Sequence, residues 1–90
     1  MKPSIGLIVH YTLNQQDADE INRRRTDSFV LAGNQAREGD VYPAMIVRVF
    51  GETPESAVNL QVFLDGTDTF WATSRTVGEG PFYWAWPERV

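Results

Sequence analysis

Residues 58–74 read VNLQVFLDGTDTFWATS. Val58, Leu60, Val62 and Leu64 alternate with Asn59, Gln61 and Phe63, the period of a strand that turns one face inward. Asp65-Gly66 is the residue pair that supplies the positive backbone angles of a tight hairpin. The alternation predicts a returning strand over residues 69–74. Phe70, Ala72 and Ser74 then share one face, and Thr69, Trp71 and Thr73 share the other.

Upstream lies VYPAMIVRVF, residues 41–50. Pro43 fits only at a strand start or an edge, so a strand is expected over 44–50, joined to the hairpin by the loop GETPESA. SIGLIVHYTL predicts a first strand over residues 5–13, with Ile5, Leu7, Val9 and Tyr11 on one face and Ile8 and His10 on the other. NQQDADEINRRR predicts a short helix over 15–25. Asn14 is its N-cap, acids crowd its start and three arginines its end, an order that complements the helix dipole. Ala18 and Ile21 form its apolar stripe. Residues 26–40 show no period and predict a long loop, with turns at Gly33-Asn34 and Gly39-Asp40 and with Phe29, Val30 and Leu31 tucked inward. Downstream, RTVGEGP is a loop and FYWAW, residues 82–86, a fifth strand. The layout predicts a mainly β, five-stranded, SH3-like partly open barrel with a short helix in its first long loop. A five-stranded OB-type barrel is the alternative. Residues 1–90 make one domain, with no repeats or internal boundaries.

Composition narrows the function. The chain has no cysteine, which excludes disulfides, thiolate metal sites and cysteine nucleophiles. The net charge of −4 opposes binding to duplex nucleic acid, whose phosphates require a positive field. No stretch is long and apolar enough to span a bilayer, and a cytoplasmic setting is the default expectation. His10 is the sole histidine and reads as a strand residue with one hydrogen bond. There is no nucleophile-elbow or H-E-x-x-H pattern, so no catalytic residue is assigned. DADE, residues 17–20, reads as helix-start electrostatics and DGTD lacks the later glutamate of a calcium loop, so neither a metal nor a cofactor is expected.

The aromatic residues carry more information. Rings of this kind each bury ~150–250 Å². A barrel this small cannot enclose Phe70, Trp71, Phe82, Trp84 and Trp86 together, so some are expected at a groove or a subunit interface. Tyr42, Arg48, Thr73, Ser74 and Arg75 stand near them. Rings that stack a base, with guanidinium and hydroxyl groups for phosphate oxygens, suit a small anionic nucleotide. The same groups suit a protein interface. The candidate ligand set is Trp71, Trp84 and Trp86 for stacking, Arg48, Arg75, Thr73 and Ser74 for phosphate, and His10 and Tyr42 assisting. A homo-oligomer would let two copies enclose a ligand that one could only touch.

IVHYTL, INRRR, YPAMIVRVF, VNLQVFLDGTDTFWATS and YWAWPERV together resemble a set of short proteins encoded by bacteriophages and prophages. Their pattern runs from VHY through NLxVFLDG to W-x-WPE, and the likeness is weakest over residues 26–39. In size and in ring-plus-arginine content the chain is also similar to small phage anti-defence proteins called sponges, the anti-CBASS group among them, although no sponge motif is matched residue by residue. That likeness implies a non-catalytic oligomer that sequesters a cyclic dinucleotide or similar immune signal in the host cytoplasm. An SH3-like module that blocks or bridges a host or phage protein is the alternative.

Overall fold

A computed structural model of the chain describes residues 1–28 and 30–88. The elements run β1 (Ile8–Thr12), α1 (Gln15–Thr26), β2 (Val41–Val49), β3 (Val58–Phe63), β4 (Thr69–Arg75) and β5 (Trp84–Ala85). One sheet carries all five strands in the order β4-β3-β2-β1-β5, and every ladder is antiparallel. The protein is therefore a small, mainly β domain with one short helix after the first strand, as the sequence predicts. The sheet does not close by a continuous ladder. Past β4 the chain curls back, and Val77 makes a single parallel bridge to Trp84.

Alternation sorts the side chains into rows. Val9, Ala44, Val62 and Phe70 stand side by side across four strands, and all four are buried. Ile46, Leu60 and Ala72 form a second buried row. Tyr11 pairs with Trp84 and closes the core toward β5. Helix α1 adds Ala18 and Ile21 to this side. Its start is held by a capping box: the Asp17 N–H donates to the Asn14 side chain at 2.8 Å, and the Asp17 carboxylate accepts from the Asn14 N–H at 3.2 Å. The arginines in its last turn oppose the negative end of the dipole.

Five expectations change. The first strand starts at Ile8 rather than at residue 5, because Gly6 takes φ 94° and turns the chain, and Ile5 is exposed. The β3–β4 connection is not a two-residue hairpin: the ladder ends at Phe63↔Thr69, and the positive-φ residues do not include Asp65 or Gly66. Gly66 is instead a contact glycine. It bridges Gly33, and a Cβ there would lie 2.4 Å from the Ala32 carbonyl oxygen. The long loop thus docks on the hairpin loop, where the Asn34 N–H donates to the Asp65 carbonyl at 2.9 Å. Among the described residues of this loop, Ala36 enters the core, held by paired hydrogen bonds to the Asn22 amide at 2.8 and 3.0 Å. Val30 is exposed rather than tucked inward, Leu31 is half-buried, and Phe29 lies outside the described residues. Strand β2 begins earlier than expected; Pro43 sits where β1 is alongside and the β3 ladder has not yet begun. The fifth strand shrinks to two residues, because Phe82 has φ 82° and bends the chain out of extended geometry.

Candidate functional site

The second face of the sheet is built by the same alternation. Ile8, Met45, Gln61 and Trp71 form one row across β1, β2, β3 and β4. Phe70 and Ala72 take the inward positions of β4, so Trp71 between them must point out. It is 61% exposed. Phe63, Ile8 and Val41 are exposed on the strands around it. Helix α1 packs its buried residues on the opposite side, and at the β1–β5 edge residues 78–80, Trp86 and Glu88 stand beside His10, Thr12 and Val41 of the outer face. Among the described residues, none of the twelve acids lies in a strand. All of the negative charge sits on the helix, loops and turns.

Two bulges shape the upper end of this face. The register shifts between Ile46 and Arg48, so Val47 and Arg48 are both exposed, and the Arg48 guanidinium lies 5.1 Å from the Phe50 ring centroid. On β4 the register shifts opposite Asn59. Ser74 takes φ 56° there, and its N–H donates to the Asn59 side chain at 2.9 Å. The extra residue inverts the alternation. Thr73 stays on the outer side, and Arg75 turns inward.

Arg75 is consequently a tie within the fold. Its Nε donates to the Tyr11 hydroxyl at 2.8 Å, and a terminal nitrogen donates to the Asp17 carboxylate at 3.1 Å. The other terminal nitrogen donates to the Thr73 carbonyl. The guanidinium stacks over Phe82 at 4.0 Å from the ring centroid. The Tyr11 hydroxyl in turn donates to Asp17. Burial, reinforced by the Asp17 carboxylate, pushes the Tyr11 phenol well above the usual tyrosine range. Only 11% of the Arg75 side chain is exposed. The phosphate contact expected of Arg75 is replaced by an internal clamp joining β1, α1 and β4.

The expected ligand residues separate into four places. Trp71, Thr73 and Arg48 share the outer sheet face, and Ser74 is exposed at its upper end. Arg75 is in the clamp. Trp84 is fully buried, with its Nε1 donating to the Arg75 carbonyl at 3.2 Å, and Tyr42 is half-buried with its hydroxyl donating to Asp40 at 3.2 Å. Burial, with the Asp40 carboxylate beside it, raises the Tyr42 pKa. His10 and Trp86 line a shallow cleft of about 610 Å³ beside the β1–β5 ladder. Trp86 meets Trp84 edge to face at 5.1 Å. Glu79 and Glu88 also line that cleft, which makes it a poor seat for phosphate.

Sequence reasoning missed Tyr11 and Asp17 as clamp residues and Ile8, Met45, Gln61 and Phe63 as neighbours of Trp71. The strand period alone set Ile8 on the face opposite Val9 and Tyr11. No sequence signal marks the bulge at Ser74, on which the fate of Arg75 depends. A second ion pair, the bidentate Arg25–Asp68 fork at 2.9 and 3.1 Å, pins the end of α1 to the β3–β4 loop. It holds the Asp68 carboxyl below the usual carboxylate range. Among the described residues no group of three or more metal-ligating side chains comes together, and no helix is long and apolar enough to cross a membrane. Comparison with protein-family models, curated proteins and solved structures gives no match.

Proposed function

We propose that the protein is a non-catalytic interaction module that works by docking the outer face of its sheet onto another polypeptide. The observation that carries this reading is Trp71, an indole left 61% exposed at the side of an acid-free row of Ile8, Met45 and Gln61. A small domain that keeps so large an apolar group in water gains from a partner that covers it. The phage resemblance gives such a module its setting: a host cytoplasm in which it blocks or bridges a protein. In-cell crosslinking from a photoreactive amino acid in place of Thr69, beside Trp71, tests it. The expected result is a discrete protein adduct that Trp71→Glu abolishes. No adduct, or one indifferent to Trp71, ends the reading.

A second reading is supported by a different feature of the same face. Trp71, Thr73 and Arg48 put a ring, a hydroxyl and a guanidinium on one side of the sheet, a set that suits a base and a phosphate. The anti-defence sponge implied by the resemblance would use these three in place of Arg75 and Trp84. Calorimetry with cyclic dinucleotides and cyclic ADP-ribose isomers checks it. Binding lost in Arg48→Ala is the expected result, and silence across the panel removes the idea.

A further inference from the structure

Resting on the interaction reading above, we propose that the polypeptide that covers the outer sheet face is a second copy of this chain, related by a two-fold axis that runs along the strands between β2 and β3. Three observations lead there. The first is charge. Each copy carries −4, so most approaches between copies are repulsive. The sheet face is the exception, because no strand holds an aspartate or glutamate. Two such faces can meet with every carboxylate left in water at the rim or beyond it.

The second is extent. The five strands hold 29 residues, which at ~3.3 Å per residue and ~4.8 Å between strands give a face on the order of 460 Å² in projection. Protruding side chains add to that figure, the size of a weak to moderate complex, which sets the micromolar range tested below.

The third is self-complementarity. The row Ile8–Met45–Gln61–Trp71 has its one tall ring at the β4 end and a short aliphatic chain at the β1 end. A two-fold axis through the middle of that row, parallel to the strands, lays Trp71 on Ile8 of the second copy and Gln61 on its Met45. The contact is isologous: each copy gives a ring and receives one. A heterologous partner would need its own matching hollow, whereas this chain already carries both halves.

Sedimentation equilibrium of the full chain, from low micromolar to several hundred micromolar, tests the proposal. The mass of two chains is expected for the wild type. Added salt should strengthen the association, because it screens repulsion between two acidic copies. Trp71→Glu and Ile8→Lys alter exposed side chains, so each should keep the wild-type circular dichroism and unfold cooperatively, with a melting temperature lower only by what association adds to the wild type. Each alone should weaken the dimer by about 30-fold or more, the loss that goes with a hot-spot contact. Mixed together, the two variants should pair again. The mixed dimer has one native Trp71–Ile8 contact and one glutamate against lysine. A single-chain mass for the wild type throughout overturns the second copy as occupant. A dimer indifferent to both substitutions, or no pairing in the mixture, overturns the axis and with it the proposal. Failure of the underlying interaction reading is seen separately, as the absence of any adduct from position 69.

Discussion

Replacing Arg75 by methionine asks whether this arginine holds the fold together or waits for a ligand. The substitution keeps an unbranched chain against Phe82 and removes the cation beside Asp17, which is 3% exposed. Breaking a buried ion pair by deleting one partner costs ~3–5 kcal/mol, because a charge is left uncompensated. Asp17 retains the Tyr11 hydroxyl and the Asn14 N–H, and hydrogen bonds to a charged group contribute ~1.5–3 kcal/mol each. The lower end of the range therefore applies, about 3 kcal/mol. Domains of this size hold ~5–15 kcal/mol in total, so the loss is large. It corresponds to a fall in melting temperature of roughly 12–24 °C, at ~4–8 °C per kcal/mol. Urea unfolding followed by tryptophan emission measures it, since the Trp84 indole is bonded to the Arg75 carbonyl. Adding Asp17→Asn removes the stranded charge, so the double variant should lose ~1–2 kcal/mol less than the sum of the two single losses. A loss below ~1 kcal/mol for Arg75→Met, or strict additivity in the double variant, would refute the clamp. Arg75 would then be available to an anionic ligand.

The Tyr11 phenol titrates above the tyrosine range in the folded state, so the unfolded chain loses its proton first. This contribution is full below about pH 10 and falls by ~1.36 kcal/mol per unit above it, a slope that Tyr11→Phe should flatten in urea midpoints taken across that range. Asp68 behaves in the opposite sense. Its depressed pKa adds stability above the unfolded value near ~3.9 that is lost as pH falls further, and Asp68→Asn should flatten that acid limb. Gly66→Ala forces a Cβ to 2.4 Å from the Ala32 carbonyl oxygen. It should cost ~1–3 kcal/mol and raise amide exchange at Asn34 and Thr67, measured by hydrogen exchange. Acrylamide should quench Trp71 far more than buried Trp84 once the copies are apart, so in the Ile8→Lys background Trp71→Phe should remove much of the collisional component; an unchanged quenching constant there would place the indole under cover within its own subunit.

The strand period was legible because it needs only neighbouring residues. Burying alternate side chains is a local demand, and residues 58–64 and 69–73 meet it without help. The helix was legible for the same reason: its cap and its charge gradient lie within its own length. The period also set Trp71 on the face opposite Phe70 and Ala72, although which of the two faces water was decided by the fold. Arg75 did not. Its direction depends on one extra residue in β4 whose N–H is held by Asn59 from another strand, and no spacing within 69–75 encodes that bond. Gly66 illustrates the same limit. Asp-Gly signals a turn locally, yet here the glycine is required by a loop more than thirty residues away that presses its backbone against it.

By itself, then, the amino-acid order determined a mainly β chain with a short capped helix, the grouping of most strand residues by face, and a surplus of ring surface. Hydrophobic alternation and helix capping act over a few residues, so they survive without a partner strand. Only the tertiary structure decided which rings and which arginines are free. That choice is made where distant segments compete for the same groups. Asp17 and Tyr11 outbid solvent for the Arg75 guanidinium, and the core takes Trp84 but has no room for Trp71.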